Sequence, residues 1–220
     1  DSSIGGKTGI NIAEGKNLIG AIYQPKAVFI DPDLLHSLPK TELISGLGEV
    51  IKYGAIYDNN FLTEISGWLD TLNSFPYEKA IKRSCQIKAN IVSKDEKEQG
   101  IRKILNFGHT IGHAIEAVMG YGKIRHGEAI AKGMKCAGWI SNKLGLLSKV
   151  EKAYLQETIE KLPLPTIGHI QNHDLLSYIR RDKKTENRVL NFVVLENLGK
   201  ATTTTKVSED LIEKSLKVLK

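Results

Sequence analysis

Residues 102–128, R-K-I-L-N-F-G-H-T-I-G-H-A-I-E-A-V-M-G-Y-G-K-I-R-H-G-E, leave the chain few ways to fold. Three of its six histidines lie there. His109 and His113 are one helical turn apart and share a face. A Gly-Tyr-Gly break at 120–122 then turns the chain back before His126. Gly108 and Gly112, beside the histidines, admit close backbone approach from a neighbouring element. Ile104, Leu105, Ile111, Ile115 and Val118 thread apolar surface through the same stretch, alongside Arg102, Asn106, Glu116 and Glu128. A segment that is both core-forming and rich in ionisable groups reads as a site built into a buried helix.

The rest of the chain is patterned mostly for helices. Leu43, Ile44, Leu47, Val50 and Ile51 recur at helical spacing, predicting a helix over about 41–57 with Thr41 as N-cap. Further helices are expected near 61–73, 77–98, 126–145, 148–162, 174–181 and 208–219. The R-R-D-K-K-T-E-N-R run at 180–188 reads as a cation-dense loop. Two stretches look extended: A-V-F-I at 27–30, closed by Asp31-Pro32, and a late hairpin joined at Gly199-Lys200. The composition shifts near residue 38, dividing the chain into 1–38 and 39–220. His169 and His173 fall in a polar connection and read as surface residues.

Composition narrows the class of protein. The 41% hydrophobic and 25% charged content is that of a soluble globular chain. No apolar run reaches the roughly eighteen residues that a membrane span needs. Two cysteines, both in helical patterns, argue against a disulfide framework and for a reducing cytoplasm. The net charge of +6 invites a nucleic-acid reading. Scattered lysines, 6% aromatic content and no nucleic-acid-binding motif favour a small anionic ligand instead. At the start, D-S-S-I-G-G-K-T falls short of a phosphate loop, because Asp1 stands where the first glycine is required. It remains a glycine turn carrying Lys7.

Three histidines following a helix that bears Glu49 make a metal centre the better reading of the central stretch. Imidazole and carboxylate suit zinc or a neighbouring divalent ion, and three protein ligands leave a position open. Periodicity alone pairs His109 with His113. Glu49 and Lys52 share a face of a helix with little other polar surface, so both point towards a lined cavity rather than solvent.

The ordered motifs D-S-S-I-G-G-K-T, G-K-N-L-I-G-A-I-Y-Q-P, G-E-V-I-K-Y-G, L-N-F-G-H-T-I-G-H-A-I-E, H-G-E-A-I-A-K-G-M and R-D-K-K resemble those of the 3-dehydroquinate synthases across essentially the whole chain. The resemblance implies a mainly α C-terminal domain of the dehydroquinate synthase-like fold. A short β segment would remain from a preceding Rossmann-like α/β nucleotide-binding domain, of which 1–38 is the remnant. It implies a zinc or cobalt ion held by Glu49, His109 and His126, which displaces His113 from the pair that periodicity suggests. It places Lys7, Asn17, Asn106 and His113 at the substrate phosphate. Lys88, Arg102 and Lys183 fall at the carboxylate, and Asp1 and Lys52 near the hydroxyls. Lys7, Lys16 and Leu34, Leu35, His36 and Ser37 would contribute to an NAD site.

The implied reaction converts 3-deoxy-D-arabino-heptulosonate 7-phosphate into 3-dehydroquinate and phosphate in the shikimate pathway. NAD is recycled, and the substrate phosphate itself serves as base. The implied assembly is a cytoplasmic homodimer that needs the preceding domain. Neither a nucleic acid nor a membrane is an implied partner. The alternatives are a 2-deoxy-scyllo-inosose synthase, a metal-dependent alcohol dehydrogenase of related fold, and an inactive helical metal-binding module.

Overall fold

Small side chains set the middle of the fold. The helix that starts at His126 carries Ala129, Ala131, Gly133, Ala137 and Gly138 at buried positions, so its neighbours approach its backbone directly. The computed structural model describes residues 3–12, 15–120, 122–168, 170–185 and 191–219. In chain order its elements are β1 (Ile10–Ile12), β2 (Gly15–Ile19), α1 (Lys40–Tyr57), α2 (Asn59–Trp68), α3 (Tyr77–Lys94) and α4 (His109–Met119). There follow α5 (His126–Lys143), α6 (Lys149–Glu160), α7 (Asn172–Thr185), β3 (Phe192–Asn197), β4 (Lys200–Thr204) and α8 (Glu209–Ser215). Short 3-10 turns cover Pro32–Ser37, Leu69–Ser74, Ile101–Asn106 and Leu216–Leu219.

Helix α5 is the axis, and α1, α4, α6, α8 and β3 all pack on it. Two contacts from glycine-bearing helices are closest. A Cβ placed on Gly127 would lie 1.8 Å from the Ser45 carbonyl oxygen of α1, and one on Gly133 would lie 2.1 Å from the Gly108 carbonyl oxygen before α4. Antiparallel β3 and β4 form the late hairpin, whose turn glycine, Gly199, sits at φ +84°. The hairpin docks through Gly199 N–H donating to the Ala55 carbonyl at 2.8 Å and Leu195 N–H donating to Ser141 Oγ at 2.9 Å.

The mainly α fold with a late hairpin is the one expected, and the differences are local. The A-V-F-I run at 27–30 is not a strand, and Phe29 is 94% exposed. A β-prone run without a neighbouring strand has no ladder to join. Helix α1 begins at Lys40 with Pro39 as its N-cap, so Thr41 lies inside the first turn. Proline pre-sets the backbone there and needs no N–H. The helix expected near 61–73 is α2 followed by a 3-10 turn with a non-helical residue at Thr71. Helix α3 stops at Lys94, and 95–100 form a turn. The R-R-D-K-K run is not a loop. It continues α7 to Thr185. Surface placement holds for His173, while His169 lies outside the described residues. Among the described residues no helix is long and apolar enough to cross a membrane.

Candidate metal centre

Helix α1 buries two charges of opposite sign, Glu49 and Lys52, one turn apart within an otherwise apolar face. Lys52 Nζ donates to Glu49 Oε2. The other oxygen, Glu49 Oε1, is buried and accepts no hydrogen bond. Burial would raise this carboxyl, but the positive groups around it, the Lys52 ammonium first, together outweigh that effect and hold it below the usual carboxylate range. An ionised, solvent-shielded oxygen without a donor is costly unless a cation completes it.

The Oε1 atom faces two imidazoles, one at the start of α4 and one at the start of α5. His109 Nε2 is 3.8 Å away and His126 Nε2 is 3.6 Å away. Each ring is fixed from behind. His109 Nδ1 lies 3.2 Å from the Phe107 carbonyl, which only accepts, so Nδ1 carries the proton and Nε2 presents a lone pair. His126 Nδ1 lies 3.0 Å from Glu116 Oε2, which orients that ring in the same sense. Burial, followed by the Lys52 charge, pushes His109 well below the usual histidine range, so it is neutral and able to ligate. His113 belongs to the same cluster: one ring nitrogen from each of the three histidines lies within 4.8 Å of the others.

Local sequence explains these placements. Gly108 adopts φ +81° and opens α4 at His109. The Glu128 carboxylate accepts the Arg125 N–H at 2.9 Å, capping α5 so that His126 is its first residue. Gly127 meets Ser45, and Ser45 Oγ accepts the Gly127 N–H at 3.0 Å. That crossing brings Glu49 to His126.

The other expected residues divide into three groups. Lys88 lies on the buried face of α3 with Ile87 and Ile91, which settles a direction that the sequence left open. Burial, then the neighbouring Lys52 charge, pulls its amine down to about 8. Arg102 is 3% exposed and spends two donors on backbone, with Nη2 reaching the Gly5 carbonyl at 2.7 Å and Nη1 the Glu96 carbonyl. Lys7 and Asn106 come together on a shared partner, Glu98. In contrast, Leu34, Leu35, His36 and Ser37 form a 3-10 turn without a buried residue, and no described contact ties it to the histidines. Asp1 and the side chains of Lys16, Asn17 and Lys183 lie outside what is described. Two residues of the site had no role assigned from sequence, Glu116 and Glu98. Glu116 lies one turn beyond His113 on the same helix, a signal that was available. Glu98 sits in a charged turn with no periodicity to mark it.

The 3-dehydroquinate synthase C-terminal family profile matches residues 46–185, and the 3-dehydroquinate synthase N-terminal profile matches residues 1–45. The chain belongs to the 3-dehydroquinate synthase family. It is 46% identical over 220 residues to 3-dehydroquinate synthase of Rippkaea orientalis, covering 97% of this chain and 60% of the relative. It is 44% identical to that of Thermoanaerobacter pseudethanolicus, covering 100% of this chain and 62% of the relative. The chain thus spans about three fifths of the family members it matches. Among solved structures, 2-deoxy-scyllo-inosose synthase complexed with carbaglucose-6-phosphate, NAD+ and Co2+ superposes with a TM-score of 0.79 at 25% identity, covering 98% of this chain and 62% of that one. The 2-epi-5-epi-valiolone synthase ValA of Streptomyces hygroscopicus subsp. jinggangensis 5008, with NAD+ and Zn2+ bound, shares the fold at a TM-score of 0.84 and 23% identity, covering 100% of this chain and 62% of that one.

Proposed function

We propose that this chain is the metal- and substrate-binding portion of a cytoplasmic, homodimeric 3-dehydroquinate synthase. It would release phosphate from 3-deoxy-D-arabino-heptulosonate 7-phosphate and close the carbocycle. Residues 39–220 form the helical catalytic part, and residues 1–38 complete a nucleotide-binding domain that precedes it. The observation that carries this reading is the bare Glu49 Oε1 facing two oriented imidazole nitrogens. A carboxylate and two neutral imidazoles suit zinc or cobalt and leave room for a substrate oxygen. When bound, the ion would supply Lewis acidity at a substrate hydroxyl, and NAD would supply a hydride sink that is refilled within each turnover.

The protein's own groups do the positioning. Lys7, Asn17, Asn106 and His113 hold the phosphate end. At the carboxylate end stand Lys88, Arg102 and Lys183, Arg102 giving two of its five donors to backbone carbonyls among the described residues. Lys52 and Asp1 lie at the hydroxyls, and Lys7, Lys16 and Leu34–Ser37 at the nucleotide. Two cationic ends of different shape fix one orientation of a substrate that is anionic at both ends.

The deciding assay follows phosphate release by the full-length, metal-loaded, NAD-supplied protein. Turnover with the heptulosonate phosphate and none with glucose 6-phosphate is expected, since the latter offers Lys88 and Arg102 no carboxylate. Net accumulation of NADH, or the reverse substrate preference, would overturn the assignment. Lys88 adds a pH signature. Its amine is charged below about 8 and neutral above, so kcat/KM, which reports the free enzyme, should fall as pH rises through about 8. A profile flat into the alkaline range would remove Lys88 from the carboxylate site.

A further inference from the structure

We propose that Arg125 is a positioning residue for the metal centre, clamping the start of α5 to α1 through Glu42 so that His126 stays opposite Glu49. This rests on the function proposed above, in which Glu49 and His126 hold one ion. Arg125 Nε lies 3.0 Å from Glu42 Oε1, and the pair joins the N-cap of α5 to the first turn of α1. A clamp matters here because His126 is the least enclosed of the three histidines. Its side chain is 43% exposed, against 13% for His109, so packing constrains it less. Glu116 orients the ring, but it sits on α4 and does nothing to fix the distance from α1.

That distance is set by attachments on both sides of His126. On one side the Gly127 N–H donates to Ser45 Oγ at 3.0 Å, and a Cβ on Gly48 would lie 2.3 Å from the Gly127 carbonyl oxygen. On the other side stands Arg125, whose N–H is accepted by Glu128 at 2.9 Å and whose side chain goes to Glu42. Glu42, Ser45 and Glu49 are three and four residues apart, so they form one stripe along α1. Arg125, Gly127 and His126 each meet that stripe. The contacts at Gly127 lie at a single residue and act as a pivot, about which α5 could swing. The Arg125 pair adds a second point of attachment, and two points fix the approach of the helices.

Charge and clamp predict opposite outcomes for the same substitution. Arg125 carries a positive charge beside a cation site, so by Coulomb repulsion alone its removal should tighten the metal. As a clamp, its removal should weaken the metal, because the two ligands are no longer held ready and must be drawn together on binding.

The experiment measures zinc affinity of the full-length protein by chelator competition, with cobalt substitution and melting of the metal-free protein alongside. Arg125→Gln should weaken zinc about threefold to fivefold, the upper range for an exposed ion pair. It should also alter the visible absorption of the cobalt form, which reports ligand geometry, while melting of the metal-free protein changes little. In a Glu42→Gln background the same substitution should have no further effect on zinc, because the partner is already gone. Arg125→Lys keeps a cation within reach of Glu42 and should hold zinc near the parent value. Unchanged or tighter zinc in Arg125→Gln, or an equal loss in both backgrounds, overturns the clamp and leaves the proposed function standing. Arg125→Met, also uncharged, decides the matter if the glutamine variant does not fold. A parent protein that binds neither zinc nor cobalt overturns the metal centre on which the proposed function rests, and this inference with it.

Discussion

Glu49→Gln should strip the metal from the full-length protein and lower its stability in the same step. The amide has no charge to offer a cation, and it replaces the one buried oxygen that two imidazole nitrogens already face. Loss of even an outer-shell partner typically costs about 10- to 100-fold in metal affinity, so loss of this ligand should exceed about 100-fold. Lys52, 2% exposed, would keep an acceptor and lose its counter-charge. Breaking a buried pair from one side costs about 3 kcal/mol or more. Lys88 is affected as well, because the Glu49 carboxylate partly offsets the desolvation of its amine. Chelator competition reads the first effect and denaturant unfolding of the metal-free protein the second. A variant that keeps its metal at parity with the parent would remove Glu49 from the ligand set.

Gly127→Ala should be among the most damaging substitutions in the chain although it adds a single methyl group. Its Cβ would stand 1.8 Å from the Ser45 carbonyl oxygen, a backbone atom of α1 that cannot rotate away. Helices α1 and α5 must separate, and overpacking of this kind typically costs about 1–3 kcal/mol, occasionally more. Because Gly127 follows His126, and Gly48 precedes Glu49 and packs so closely that a Cβ on it would lie 2.3 Å from the Gly127 carbonyl oxygen, the same movement pulls the two proposed ligands apart. Metal affinity should therefore fall even in the fraction that folds. Gly46→Ala is the internal control. A Cβ there meets nothing within 4 Å, and alanine is about 1 kcal/mol better than glycine in a helix interior. If urea midpoints fall equally for both variants, close helix approach is not what α1 and α5 depend on.

The substitutions also separate local from long-range information. Periodicity located α1, α3, α5 and α6 to within a few residues, because each buries one face and the 3.6-residue repeat records it. It set Glu49 and Lys52 on one face for the same reason. It could not show that Lys88 turns inwards on α3, since a lysine on the border of an apolar face packs either way until the neighbouring helix is in place. Nor could it show that A-V-F-I at 27–30 stays unpaired, because a strand exists only with its partner.

By itself, then, the sequence determined α1, α3, α5 and α6, the hairpin turn and the chemical kinds of side chain at the centre, all of which depend on residues a few positions apart. Through motif resemblance it also offered the set Glu49, His109 and His126 as ligands, where periodicity paired His109 with His113. The tertiary structure alone decided that Glu49 Oε1 meets both ring nitrogens, that Glu116 orients His126, and that Glu98 joins Lys7 to Asn106. The physical reason is that these meetings depend on how closely whole helices approach across Gly127 and Gly133. That closeness belongs to the packed fold and to no stretch of chain shorter than it.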